Sequence, residues 1–231
     1  MKNILITGAS SGIGKEIAKT LSKENNLFLS GRRNLKQDNY FACDLTVADE
    51  VEKLYLKAKQ YFNNKIDVLI NSAGQYIYNP IEKMTLEQID YLIKLNFIAP
   101  YLLSKMVVED MKKNKFGRII NIGSISGIVG EANASLYSAT KAGLSGFTKA
   151  LALEVAEYNV TINQINPGWV DTPLCDVLNE EERKEVIDVT PQRRFVEPIE
   201  IAKLTEYLIK DCAKGITGQN INVCAGLSIG C

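Results

Sequence analysis

The sequence predicts an α/β fold: a doubly wound parallel sheet of about seven strands, helices on both faces, in a single domain over residues 1–231. Three observations predict it. Short apolar runs alternate with longer segments of helical periodicity along the chain. The runs Asn3-Ile4-Leu5-Ile6-Thr7, Asp67-Val68-Leu69-Ile70-Asn71 and Arg118-Ile119-Ile120-Asn121-Ile122 are apolar without clean two-residue alternation, as strands covered on both faces require. No repeat, low-complexity tract or linker interrupts the 231 residues, a length that buries roughly 70–75% of the unfolded chain's surface.

The elements follow in order. Residues 3–7 read as the first strand and 12–24 as a helix. Strands at 27–30 and 40–43 precede a helix at 47–62. A fourth strand at 67–71 leads to a long helix at 86–112, with a bend expected at Pro100. Then come a strand at 118–123, a helix at 135–157, a strand at 160–166, a helix at 198–210 and a last strand at 219–223. Only residues 31–39 connect the second and third strands, whereas a parallel crossover usually takes about a dozen or more, so a helix there must be abbreviated or missing.

Composition narrows the function. Hydrophobic residues make up 46% and charged residues 23%, and Lys plus Arg (27) balances Asp plus Glu (27), so a polyanion-binding surface is not expected. The chain has no histidine, which excludes Ser-His-Asp and Cys-His catalysis and imidazole metal sites. Proton chemistry must then use Tyr, Lys, Cys or a carboxylate. Cys43, Cys175, Cys212, Cys224 and Cys231 form no C-x-x-C pair, so reduced thiols and no metal site are expected. The apolar run from Ile4 to Gly8 is too short for a signal peptide or membrane span, and Cys231 closes the sequence without a prenylation box. A cytoplasmic protein is expected.

Thr7-Gly8-Ala9-Ser10-Ser11-Gly12-Ile13-Gly14 stands where a strand ends and a helix begins. Glycines there let the backbone approach a pyrophosphate, and the helix N-terminus offers free N–H groups. A plain strand–helix turn would also use Gly and Ser. A second pattern is Tyr-x-x-x-Lys, which puts phenol and ammonium on one helix face. Tyr55/Lys59, Tyr61/Lys65, Tyr101/Lys105 and Tyr137/Lys141 all have it, so most such pairs must be solvated faces.

The glycine turn, Asn71-Ser72-Ala73-Gly74, Asn96, Ser124, Tyr137 with Lys141, and Asn166-Pro167-Gly168-Trp169-Val170-Asp171-Thr172 together resemble the short-chain dehydrogenase/reductase family in order and spacing. Pro191 to Arg194, followed by Pro198-Ile199-Glu200-Ile201-Ala202, extends the likeness, which runs from Lys2 to about Gly226. The family places its catalytic Ser thirteen residues before the Tyr. Ser124 stands there for Tyr137, whereas Ala42, Ala48 and Gln88 stand there for the other three. Ser126 is the second candidate.

The resemblance implies a Rossmann-type domain that transfers hydride between a nicotinamide and a carbonyl or secondary alcohol. Ser124 would hold the carbonyl oxygen and Tyr137 act as general acid or base. Lys141 would bind the ribose and bias Tyr137 toward phenolate, and Asn96 would hold a water that passes protons toward Lys141. Ser124 could instead cap a strand end, and Asn96 could be an ordinary buried amide. The cofactor would lie along Gly8, Ser10, Ser11, Gly12, Ile13 and Gly14, then Asp44 and Leu45, then Asn71, Ala73 and Gly74. Tyr137, Lys141, Pro167, Gly168, Val170 and Thr172 would complete the cofactor site. Asp44 could equally serve as the start signal of the next helix, and Trp169 is expected to pack.

Relatives that prefer NAD carry an acidic residue at the end of the second strand; here Gly31 is followed by Arg32 and Arg33, with Ser10 nearby, so NADP(H) is expected over NAD(H). The arginines could also be plain surface charges. Gln75 and Tyr76 should line the substrate pocket with Ser124 and Tyr137. Residues 173–197, with Leu174, Val177, Leu178, Val186, Ile187 and Val189 beside the run Glu180 to Glu185, look like a helical lid with an apolar underside.

The general likeness among small members is to the 3-oxoacyl-carrier-protein reductases, for which Lys112, Lys113, Lys115 and Arg118 would offer a basic docking patch. Two departures are Val155-Ala156-Glu157-Tyr158-Asn159, which lacks a second basic position, and Val223-Cys224-Ala225-Gly226, where relatives have an Asp- or Asn-Gly-Gly turn. A reductase or dehydrogenase of a sugar, polyol or other small ketone is the alternative, and a nucleotide-sensing regulator without turnover a remote one. A homo-oligomer, tetramer or dimer, would form through the helices at 86–112 and 135–157.

Overall fold

The computed structural model describes residues 1–176 and 178–229. Val177, expected in the lid, and Cys231, expected as a thiol, lie outside the described residues, as does Gly230. The strands are β1 (Asn3–Ile6), β2 (Asn26–Gly31), β3 (Tyr40–Ala42), β4 (Val68–Asn71), β5 (Gly117–Ile122), β6 (Val160–Pro167) and β7 (Asn220–Val223). They form one seven-stranded sheet in the order β3-β2-β1-β4-β5-β6-β7, with every pairing parallel. The helices are α1 (Gly12–Leu21), α2 (Ala48–Tyr61), α3 (Leu86–Ile93), α4 (Ala99–Asn114), α5 (Ser126–Val129), α6 (Ser135–Val155), α7 (Glu180–Val189) and α8 (Pro198–Leu208).

Register explains why the strand runs do not alternate. Leu5, Leu69, Ile119 and Ile162 stand opposite one another in a row across four strands. They pack on one face with Leu54, Leu103, Val107 and Leu151 from α2, α4 and α6. Their neighbours Ile4, Ile6, Ile70, Ile120 and Ile165 point to the other face and meet Ile17, Leu21, Ile201 and Leu208 from α1 and α8. Each such buried side chain contributes about 1.5–3 kcal/mol relative to exposure, so neither face tolerates polar alternation.

The connection from β2 to β3 has no helix, as the residue count required. The long expected helix is interrupted, but not at Pro100. A π-helical turn at Lys94–Ile98 separates α3 from α4. Pro100 sits in the first turn of α4, where its fixed φ is tolerated. It also withholds the amide that would otherwise close on the Asn96 carbonyl.

The stretch Leu86–Asn114 is long and apolar enough by composition to cross a membrane. Here Leu103, Val107 and Met111 are buried against the sheet. Its outer face and that of α6 leave Leu86 (80% exposed), Leu153 (86%), Tyr101 and Ile93 in the open.

The order β3-β2-β1-β4 means that the chain winds outward in one direction from β1 and returns to β4 to wind outward in the other. A crevice opens at such a reversal, beyond the C-terminal ends of β1 and β4, and ligands of doubly wound sheets bind there. The glycine turn follows β1, and Asn71-Ser72-Ala73-Gly74 closes β4.

Candidate active site

Backbone geometry shows why the turn after β1 needs glycine. Gly8 has φ +70°, and a Cβ there would lie 2.7 Å from the Ala73 amide nitrogen. A Cβ at Gly14 would collide with the Gly8 carbonyl. The two loops are stitched together by Thr7, whose Oγ1 accepts from the amides of Ser72 (3.1 Å) and Ala73 (3.2 Å). Gly12, at φ +52°, faces Thr172, whose Cβ would lie 3.5 Å from an added methyl. Ser11 is the N-cap of α1 but its side chain caps nothing, and no acidic residue occupies the first turn. Ile13 packs on the core below. The helix start thus keeps its donors and partial positive charge for a ligand.

The four expected chemical residues converge at the same edge. Ser124 follows β5, and its Oγ accepts from the Ser126 amide at 3.1 Å and donates to Ser126 Oγ at 3.1 Å. Tyr137 and Lys141 lie one turn apart on α6, with Lys141 Nζ 5.7 Å from the Tyr137 ring centroid. Lys141 is buried, 4% exposed, and Nζ donates to the Ile122 carbonyl at 2.9 Å. Asn96 lies in the π-helical turn and is fully buried. Its Oδ1 accepts from the Gln75 amide (2.9 Å), and its Nδ2 donates to the Gln75 carbonyl (2.9 Å) and to Thr140 Oγ1 (3.4 Å). The Asn96 amide is therefore consumed in shaping the loop after β4. A Cβ at Gly74 would lie 3.3 Å from Asn96 Oδ1 and 3.4 Å from Lys141 Nζ, so this glycine keeps the two side chains at the crevice.

Burial sets the electrostatics. It pulls the Lys141 ammonium down to about 8. It pushes the half-buried Tyr137 phenol up to about 12, with the Ser124 hydrogen bond working the other way and the Glu131 charge adding to the rise. Nζ is directed to the Ile122 carbonyl, and for the phenol the loss of water outweighs the Ser124 hydrogen bond.

The other expected positions fall as follows. Asn71 Nδ2 donates to Asn121 Oδ1 at 2.8 Å, inside the sheet end. Asp44 Oδ1 accepts from Thr46 N (2.9 Å) and Thr46 Oγ1 (2.8 Å), so Asp44 builds the turn into α2, while Leu45 is buried in the core. The Pro167 carbonyl accepts from Ile125 N at 3.0 Å, which ties the loop after β6 to the Ser124 loop. A Cβ at Gly168 would lie 2.9 Å from Cys224 Cα, and Val170 is buried beside Thr172. In the tail Ala225 takes φ +53°, the left-handed conformation that favours glycine. A Cβ at Gly31 would meet Tyr40 Oη at 2.5 Å and Ser10 Oγ at 2.9 Å. Arg32 and Arg33 are exposed next to this hydroxyl-lined end of β2, with Arg32 Nη1 3.3 Å from Tyr91 Oη. The cradle, the uncapped helix start and the cationic rim fit a nicotinamide dinucleotide.

One expectation is corrected. Arg118 is no surface cation: it is 1% exposed, and Nη1 donates to the carbonyls of Gly117 (2.8 Å) and Asn159 (2.9 Å) with its plane over Phe116. In the segment 173–197 the apolar residues divide between buried and exposed positions. Its helix α7 forms as expected, capped by Asn179 and Glu182, but only Val186 of that helix is buried, while Leu174 and Val189 are exposed. Trp169 packs, as expected, with its ring 6.5 Å from that of Tyr76. Tyr76 in turn meets Tyr137 edge-on at 5.0 Å, so an aromatic wall flanks the phenol.

Sequence reasoning missed Glu131. Its carboxylate accepts from Tyr76 Oη (2.6 Å) and Ser126 Oγ (2.7 Å) beside the Ser124–Tyr137 pair. The only signal was a carboxylate a few residues past Ser124-x-Ser126, which looks like any loop charge.

A crevice at the reversal point, a glycine cradle and a Ser–Tyr–Lys cluster define a nucleotide-binding oxidoreductase. The short chain dehydrogenase family profile matches residues 2–183, and the chain belongs to this family. It is an oxidoreductase of the carbonyl and alcohol class. It is 36% identical to the 3-oxoacyl-acyl-carrier-protein reductase of Rickettsia felis over 98% of this chain and 96% of the relative. Among solved structures it is similar to 4-hydroxyisoleucine dehydrogenase complexed with NADH (TM-score 0.94, 30% identity, 100% of both chains). It is also similar to a variant of actinorhodin polyketide ketoreductase with NADPH (TM-score 0.91, 32% identity, 98% of this chain and 97% of that one).

Proposed function

We propose that the protein is an NADP(H)-dependent reductase of a 3-oxoacyl thioester carried on a protein, with Tyr137 as the general acid. The observation that carries the reading is the convergence of Ser124, Tyr137 and Lys141 on the uncapped glycine turn. A nicotinamide held in this cradle would supply hydride to the carbonyl carbon. Ser124 Oγ–H holds the carbonyl oxygen, and Tyr137 gives its proton to that oxygen as it becomes an alkoxide. A phenol held near 12 is fully protonated at neutral pH, the state reduction needs. Lys141, at about 8, can return a proton near neutral pH.

The names of the relatives support the acyl substrate, and the hydroxyl and arginine lining around Gly31 supports NADP(H) over NAD(H). Residues 173–197 would serve as a lid that closes with substrate. Lys112, Lys113 and Lys115 precede β5, whereas Ser124 follows it, so about 20 Å of strand separates the patch from its own site. A carrier protein docked there would feed a neighbouring subunit, and the exposed apolar face of α3, α4 and α6 would form the homo-oligomer that supplies one. A cytoplasmic location fits this role.

The test is NADPH oxidation at 340 nm with a 3-oxobutanoyl thioester, run beside NADH. Turnover with NADPH and a roughly tenfold rise in its KM in Arg33→Ala, with NADH unaffected, are expected. Binding of NADPH without turnover of any 3-oxoacyl thioester would overturn the substrate. One observation favours a second reading, a small polar hydroxy-ketone: the Glu131 carboxylate at the pocket wall suits hydroxyl groups better than an acyl chain.

A further inference from the structure

Glu131 lies between α5 and α6, half-buried, and among the described residues no lysine or arginine forms an ion pair with it. Its two oxygens are instead divided between Tyr76 Oη at 2.6 Å and Ser126 Oγ at 2.7 Å. Both are short, charge-assisted bonds. An ionised carboxylate only accepts, so Ser126 must spend its single proton on Glu131. Ser126 Oγ is then left as an acceptor, and Ser124 Oγ–H points to it at 3.1 Å. The carboxylate thus fixes the direction of a chain that runs from Ser124 through Ser126 to Glu131. Its other oxygen fixes the Tyr76 hydroxyl, and so holds that ring edge-on to Tyr137 at 5.0 Å.

We propose that Glu131 is a positioning residue for carbonyl reduction, acting through Ser126 on Ser124 and through Tyr76 on Tyr137. The proposal rests on the reading of Ser124 and Tyr137 as the reacting pair. It assigns Glu131 two effects. Ser124 is held in place but must break its bond to Ser126 when a carbonyl oxygen arrives. The negative charge also keeps the proton on Tyr137. The groups that face this phenol are Lys141 from α6, Tyr76 and its neighbour Tyr78 from the loop after β4, Ser124 from the loop after β5, and Glu131 itself. Lys141 is the one cation among them.

The experiment compares wild type, Glu131→Gln and Glu131→Asp as full-length protein, with NADPH binding and thermal melting as checks of folding. Tyrosine labelled with carbon-13 at the ring carbon bearing the hydroxyl reports ionisation, and the Tyr137 line is assigned by its loss in Tyr137→Phe. From pH 7 to 10.5 the wild-type line should stay that of a phenol. In Glu131→Gln it should begin to move within this range, with the midpoint lowered by about one pH unit. With a 3-oxobutanoyl thioester and NADPH, kcat should fall about tenfold in both variants while KM changes less than threefold. Glu131→Asp should keep the wild-type resonance, because the charge remains while the shorter arm cannot bridge both hydroxyls. A line that moves in Glu131→Gln, in a protein that turns over no thioester, would support the positioning role and sink the acyl-reductase reading. Unchanged resonance and kcat in Glu131→Gln, or a KM effect with kcat intact, would overturn the proposal.

Discussion

Two Tyr-x-x-x-Lys pairs in this molecule share the same helical spacing and have opposite fates. In Tyr55/Lys59, between α2 and α4, Lys59 Nζ donates to Tyr55 Oη at 3.2 Å and to Asp110 Oδ2 at 2.6 Å, and Tyr55 Oη donates to Asp110 Oδ2 at 2.9 Å. The triangle is closed, and the Asp110 hydrogen bond raises the Lys59 pKa. In Tyr137/Lys141 no carboxylate joins the ammonium among the described ion pairs; Nζ has the Ile122 carbonyl at 2.9 Å, and burial pulls it down to about 8. Spacing is common to both pairs. The Tyr137/Lys141 pair differs in withholding the counter-charge and in standing at the C-terminal edge of the sheet. Tyr61 and Tyr101 show a third fate, packing against Phe28 at 5.3 Å and Phe147 at 5.1 Å.

The sharpest way to break the comparison is to remove each phenol in turn. Tyr137→Phe keeps the ring and its contact with Tyr76 but takes away the proton donor, so kcat should fall by about 10²–10⁴-fold. Tyr55→Phe should leave kcat within twofold, since its hydroxyl serves only Asp110 and Lys59. NADPH oxidation at 340 nm with a 3-oxobutanoyl thioester reads both. Equal losses in the two variants would mean that position in the sheet does not select the reactive pair.

Much of the fold was legible in the sequence. Apolar runs without alternation implied a sheet covered on both faces, and the short span 31–39 implied a missing crossover helix. The thirteen-residue offset from Ser124 singled out Tyr137. Three features were not legible, each for a physical reason. The π-helical turn at Lys94–Ile98 leaves apolar periodicity nearly intact while shifting hydrogen bonds by one residue, so only Pro100 hinted at it. Arg118 sits in a run of charges, yet its guanidinium is enclosed by carbonyls, one of them 41 residues away. Glu131 finds its partners 5 and 55 residues away, a juxtaposition that no local pattern records.

The next largest effect concerns the cost of the uncompensated ammonium. Lys141 has a folded pKa of about 8 against an ordinary 10.5. Between these values the unfolded chain binds more protons than the folded one, so stability rises with pH. The cost is fully present below pH 8, on the order of 3 kcal/mol, and is lifted as pH climbs toward 10.5. Denaturant unfolding of the cofactor-free protein at pH 7.5 and 10 should therefore show wild type gaining roughly 2 kcal/mol relative to Lys141→Met. A stability difference independent of pH would show that Lys141 is compensated after all.

The smallest effect belongs to the closed triangle, and its sign is the reverse. Burial works against the Asp110 carboxylate, but the hydrogen bonds from Lys59 and Tyr55 prevail and hold it below its usual 3.8. A depressed carboxylate contributes stability that is present above its unfolded value and is lost as pH falls through the folded one. Lys59 and Asp110 are 27% and 22% exposed, so water screens the pair and its worth is about 1 kcal/mol or less. Asp110→Asn should then cost at most that amount at pH 7, and the difference from wild type should shrink as pH falls below 3.8 through the folded value. Above pH 8 the same substitution should show no further change, in the window where the difference between wild type and Lys141→Met changes most. Chemical unfolding across pH 3 to 10 reads both variants together. If Asp110→Asn instead cost several kcal/mol, the triangle would be a buried ion cluster like the one the active site avoids. The contrast between the two pairs would then rest on location alone.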